Sequence, residues 1–145
     1  MSSKICYYET LSSFFLYLRL IESEIKRMSG QFTFADLTYL ESMSMGSQEM
    51  INEMIDIFID QIPEFTEGLK EYLMNKDYAA LAALAHKAKS SVAVMGMDEL
   101  TNVLKDLELK AKVGEDVDSY PALVQTFLDQ VLKTEVELKA FVAQS

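Results

Sequence analysis

The sequence predicts an all-α protein, built as an antiparallel four-helix bundle with an additional short helix or helices at its N-terminal side. Three observations lead there. Apolar residues make up 50% of the 145 residues, ample for a core and too many for a disordered chain. Only 5 Gly and 2 Pro interrupt it. The apolar positions recur at three- and four-residue spacing, while the alternation that marks strands is scarce.

Residues 1–30 form an N-terminal extension with two open readings. Leu11, Phe14, Phe15, Leu18, Ile21 and Ile25 share a helical face, which suggests an added helix. Met28 also suits a natural start, which makes the preceding stretch a mis-called extension. The run from Phe14 to Leu20 is too short to span a bilayer and carries Arg19. Lys4 is not followed by a small-residue cleavage site, so a signal peptide is not expected. Cys6, the one cysteine, has no internal partner, and a cytoplasmic location is the expectation.

From residue 31 to 145 one domain is predicted. Thr33-Phe34-Ala35-Asp36 reads as a capping box before a short helix that turns Leu37, Leu40 and Met43 inward. Gly46-Ser47 breaks the chain and Ser47 caps the next helix. That helix repeats Ile51, Met54, Ile55, Phe58, Ile62, Phe65, Leu69 and Leu73. Pro63 lies within it and is expected to bend it or split it in two, since proline lacks an amide proton. Met43, Met45, Met50 and Met54 read as core filler. Asp77 is the expected cap of the following helix and Gly96 its C-terminal stop. Asp98 opens another helix, with Leu100, Val103, Leu104, Leu107 and Ala111 inward, and Gly114 ends it. Ser119 is the expected cap of the last helix, which tolerates Pro121 in its first turn. Leu123, Phe127, Val131, Leu138 and Phe141 form its buried stripe. Short loops between long helices imply antiparallel neighbours.

The helix after Asp77 carries the chemistry. At about 100° per residue, Leu81, Leu84, Ala85, Ala88, Val92 and Met95 fall in one stripe. His86, the one histidine, lies about 160° from the centre of that stripe. Ala79, Ala82, Ala83, Ser90 and Ala93 surround it on the outer face, with Lys89 one turn on and Lys87 further round. A low, partly apolar surround in place of long charged side chains suggests a docking surface. A net charge of −10 argues against nucleic acid and against anionic membrane surfaces.

His86, Lys89, Ser90, Ser91 and Gly96, with Leu100, Leu104, Leu107 and Glu108 downstream, resemble the histidine-containing phosphotransfer (HPt) domain. So does the upstream stretch MINEMIDIFIDQIPEFTEGLKEYLMNKDYAAL. The resemblance covers roughly Leu37 to Phe127. Many members carry Gly where this chain has Ser90. It implies a phosphorelay intermediate, a phosphocarrier and not an enzyme. His86 takes a phosphoryl group from a receiver-domain aspartate and passes it to another receiver, with Lys89 offsetting the charge and Lys87 a second candidate. Ser90, Ala82, Ala83 and Ala93 are then the partner-facing positions. No cofactor or metal is implied on this chain; the receiver brings Mg²⁺. The implied partners are response-regulator receivers, that of a hybrid histidine kinase included, and the chain is expected to act as a monomer.

A surface histidine taken alone is more often an ordinary surface residue; the Ala–Ser surround and the spacing to Gly96 reverse that reading. Ser90 and His86 stand at i, i+4, yet no carboxylate lies within a turn of His86 on its helix, which disfavours a hydrolase. Ala82 and Ala83 occupy the helical positions a metal ligand needs. The alternative function is a helical adaptor that binds receiver or kinase domains without transferring phosphate.

Overall fold

The computed structural model describes residues 14–20 and 33–145. By its contacts the chain divides into two units, Met1–Gln31 and Phe32–Ser145. In the first, residues 14–20 are helical and all exposed. The readings placed on Lys4, Cys6, Leu11, Ile21, Ile25 and Met28 lie outside the described residues. No helix among the described residues is long and apolar enough to cross a membrane.

The second unit is helical, with no strand among its described residues. A short helix α1 (Thr38–Met43) leads into α2 (Gln48–Met74), α3 (Tyr78–Val94), α4 (Asp98–Val113) and α5 (Tyr120–Gln144), with one 3₁₀ turn at Val117–Ser119. The four long helices close a ring: α2 packs on α3, α3 on α4, α4 on α5, and α5 back on α2. Short connections make successive helices antiparallel. Their inward stripes meet in one core around Phe58, Phe65, Leu81, Leu104, Tyr120 and Phe127.

Local chemistry sets the helix ends. Ser47 Oγ accepts from Met50 N at 3.4 Å, and an Asp77 carboxylate oxygen accepts from Ala80 N at 3.1 Å, so both expected caps are in place. Gly114 ends α4 in the left-handed conformation at φ 69°. Gly96 follows α3 at φ +67°, and a Cβ there would stand 2.0 Å from the Asp36 carbonyl oxygen. Glycine is needed twice over at this position, for the backbone angle and for the close crossing of residues 35–37 over the α3–α4 turn. Asp36 N donates to Met95 O at 3.1 Å and fixes that crossing.

Three expectations about local structure need correction, and for Pro63 one of the two expected effects is excluded. Thr33 does not cap α1. The helix begins after Leu37 with no side-chain cap, because the Thr33 and Phe34 amides instead donate to Glu137 of α5. Pro63 does not split α2, which runs unbroken for 27 residues. Both flanks of Pro63 bury their apolar side chains in the same core, and that burial outweighs one lost backbone hydrogen bond. Ser119 stands at the N-terminal boundary of α5 but gives it no side-chain cap, since its hydroxyl donates to Asp116 O at 2.7 Å. Met43, Met45 and Met50 are exposed, Met45 at 95%, and only Met54 packs against the core. α1 turns Leu40 alone inward, and the Met45–Gly46 turn takes the chain out to solvent.

Candidate functional site

α3 positions the site. Its buried residues are Leu81, Ala82, Leu84, Ala85, Ala88 and Val92, which seat it between α2 and α4. The stripe computed from spacing is therefore the buried one, and His86 stands opposite it with its side chain 61% exposed.

The imidazole is held from one side. Its Nδ1 lies 2.8 Å from Oε1 of Glu108 on α4. The Glu108 side chain is 4% exposed. Lys89 Nζ donates to Glu108 Oε2 at 2.6 Å, and Lys112 Nζ donates to Oε1 at 2.6 Å. The two ammonium groups, Lys112 first and then Lys89, hold the carboxyl down at about 2 from its ordinary 4.5, against the opposing pull of burial. An ionised carboxylate only accepts hydrogen bonds. The ring proton of a neutral His86 therefore sits on Nδ1, and Nε2 carries the free lone pair on the exposed side of the ring.

Other candidates lie around this centre. Lys87 faces away from Glu108 and pairs with Glu64 of α2 at 2.6 Å, both side chains half exposed, a geometry worth little in stability. Ser90 is exposed, and its hydroxyl donates to the His86 carbonyl at 3.3 Å. Ser91 donates to Gln61 of α2 at 2.9 Å. Ala83 and Ala93 are exposed beside His86, as the spacing predicts. Ala82 is not: it is 3% exposed and belongs to the core. By helical geometry Ala82 and Lys89 lie within about 20° of each other, on the flank of α3 that faces α4. Close packing there covers the methyl group, while the long Lys89 side chain reaches Glu108.

Two residues of the site went unassigned in the sequence. Glu108 was quoted for the resemblance and given no role, and Lys112 was not singled out. A signal for Glu108 was present. It sits within the apolar stripe Leu100, Leu104, Leu107, Ala111, where a carboxylate needs a partner. Lys112 stands one turn after it, at i+4.

A groove of about 200 Å³ opens between α2 and α3 on the flank opposite Glu108, lined by Met54, Ile57, Phe58, Gln61, Ser91, Val94 and Met95. Among the described residues, no three His, Cys, Asp or Glu side chains are placed to hold a metal ion.

Comparison with known proteins adds an independent line. The profile of the Hpt domain family matches residues 53–141, which contain α3, α4 and most of α2 and α5. No curated protein matches the chain. Among solved structures, it is similar to the histidine-containing phosphotransfer protein B (HptB) from Pseudomonas aeruginosa PAO1. The TM-score is 0.72 and the identity 23%, over 79% of this chain and 99% of that one. At this identity the likeness is one of fold.

Proposed function

This chain belongs to the Hpt domain family, whose members are histidine phosphocarriers that work with receiver domains; from that premise we propose that His86 is the phosphoacceptor. It takes the phosphoryl group from an aspartate of one receiver and passes it to an aspartate of another. The observation that supports this most is the held ring: Nδ1 bound to Glu108 at 2.8 Å, with 61% of the side chain exposed. That arrangement aims one unprotonated nitrogen at solvent, which in-line attack on phosphorus requires.

In the forward step the Nε2 lone pair forms the N–P bond. The P–O bond to the donor aspartate breaks, and its electron pair leaves with that carboxylate. The Nδ1 proton stays in its hydrogen bond to Glu108. The phosphoryl oxygens carry about −1.5 to −2 units of charge at neutral pH, and the ring, now substituted on both nitrogens, carries a partly compensating +1. Lys89, one turn along α3 and already 2.6 Å from Glu108, is the cation placed to meet it. The receiver supplies Mg²⁺ and the remaining catalytic groups, leaving this chain to present a nucleophile on a surface low enough to be approached. Ala83, Ser90 and Ala93 provide that surface, and the α2–α3 groove extends it with apolar area. The chain acts as a monomer in the cytoplasm, with the receiver of a hybrid histidine kinase among its donors.

Incubation with a ³²P-labelled receiver tests the reading. The wild-type chain is expected to gain acid-labile, alkali-stable label, and His86→Gln, folded by circular dichroism, to gain none. Receiver binding without label would favour a non-transferring adaptor.

A further inference from the structure

Lys112 has no place in the mechanism so far, yet it makes one of the shortest contacts of the site, 2.6 Å from the Glu108 oxygen that also faces His86 Nδ1. We propose that Lys112 is a positioning residue for phosphotransfer: it remains on Glu108 when Lys89 is drawn to the phosphoryl group, so that the carboxylate keeps both a cation and its hold on Nδ1. The inference rests on the reading of His86 as phosphoacceptor.

The geometry separates the two lysines. Lys89 is on α3, one turn after His86, with 24% of its side chain exposed, and it binds Glu108 Oε2. Lys112 is on α4, one turn after Glu108 itself, with 54% exposed, and it binds Oε1. The Lys112 contact is internal to α4 and does not depend on where α3 directs its side chains. Lys89 therefore can move while Lys112 stays.

The charge balance gives the reason for two cations. With a neutral ring, the two ammonium groups outweigh the single carboxylate by one unit. A phosphoryl group of about −1.5 to −2, on a ring that keeps its Nδ1 proton and so becomes cationic, brings this cluster close to neutral. Without Lys112 the same event leaves Lys89 to serve two anions on opposite sides of the imidazole. A carboxylate as buried as Glu108 that loses its last ammonium is strongly disfavoured. Lys89 would then be retained by Glu108, and the phosphoryl group would form slowly and be lost quickly. No bond is made or broken by Lys112; it acts through Glu108 and Lys89.

The test uses phosphoramidate, a small donor that needs no identified receiver, with phosphohistidine followed on phosphate-affinity gels. Lys112→Met keeps the aliphatic stem and removes the charge. Its expected result is a folded chain with a modestly lower melting temperature, since Glu108 keeps one of its two ammonium groups, and phosphohistidine formed roughly 5- to 10-fold more slowly or decaying that much faster, the scale of one hydrogen bond. Lys112→Arg is expected to restore wild-type rates. Should Lys112→Met not fold, Lys112→Gln carries the same measurements. Wild-type rates in the charge-removed variant, or failure of Lys112→Arg to restore them, would overturn the inference and leave His86 as acceptor untouched. A wild-type chain that takes no label at His86 overturns the acceptor reading and this inference with it.

Discussion

An ionised carboxylate 2.8 Å from Nδ1 leaves a neutral imidazole one tautomer, and this makes Glu108 the residue through which the surroundings act on His86. Removing that acceptor in Glu108→Ala is expected to slow phosphohistidine formation by about tenfold, the equivalent of one charge-assisted hydrogen bond. The pH dependence of stability follows from the same carboxyl. Its pKa is lowered from 4.5 to about 2 on folding, by Lys112 and then Lys89. The unfolded chain therefore takes up the proton first. The stabilisation is complete above about 4.5 and is lost as the pH falls toward about 2. Glu108→Gln has no such group. Its melting temperature is expected to approach that of the wild type as the pH is lowered through that window, and thermal melts at several pH values measure this. The outward placement of His86 and Ser90 was legible from spacing along one helix. The pairing of Glu108 with His86 was not, because 22 residues separate them and only the packing of α3 on α4 joins them.

On the scale of the helix, α3 has two different flanks, and helical arithmetic alone does not distinguish them. One flank is pressed against α4 and carries Ala82 and Lys89; the other borders the groove toward α2 and carries Ser91 and Val94. Ser90 lies on the exposed face between them. Ser90→Arg puts a long side chain on the approach to His86. It is expected to fold with stability within about 0.5 kcal/mol of wild type, as exposed substitutions usually do. Labelling by phosphoramidate is expected to be unchanged, while labelling by a receiver is abolished. Equal loss with both donors would show damage to the nucleophile in place of a blocked surface. Helix boundaries at Asp77, Gly96 and Gly114 were readable because their causes are local: a side-chain cap and two left-handed glycines. The start of α1 was misread because the amides of Thr33 and Phe34 find their acceptor in Glu137, more than 100 residues away.

For the molecule as a whole, stability comes from the closed ring of four helices around one apolar interior. Phe65 of α2 is fully buried there. Phe65→Ala is expected to cost about 3–5 kcal/mol by chemical denaturation, while the folded fraction keeps its phosphoacceptor activity. Periodicity, caps and glycines are properties of neighbouring residues, so they were enough for the all-α class, the order of the long helices and the outward placement of His86. Their reach ends at a few turns of backbone. Which lysine meets which carboxylate, why a methyl group at position 82 is covered when that at 83 is not, and which ring nitrogen is left free all depend on α4 lying against one flank of α3. That contact comes from burying two apolar stripes together, and the polar side chains beside those stripes take whatever partners the packing brings within reach.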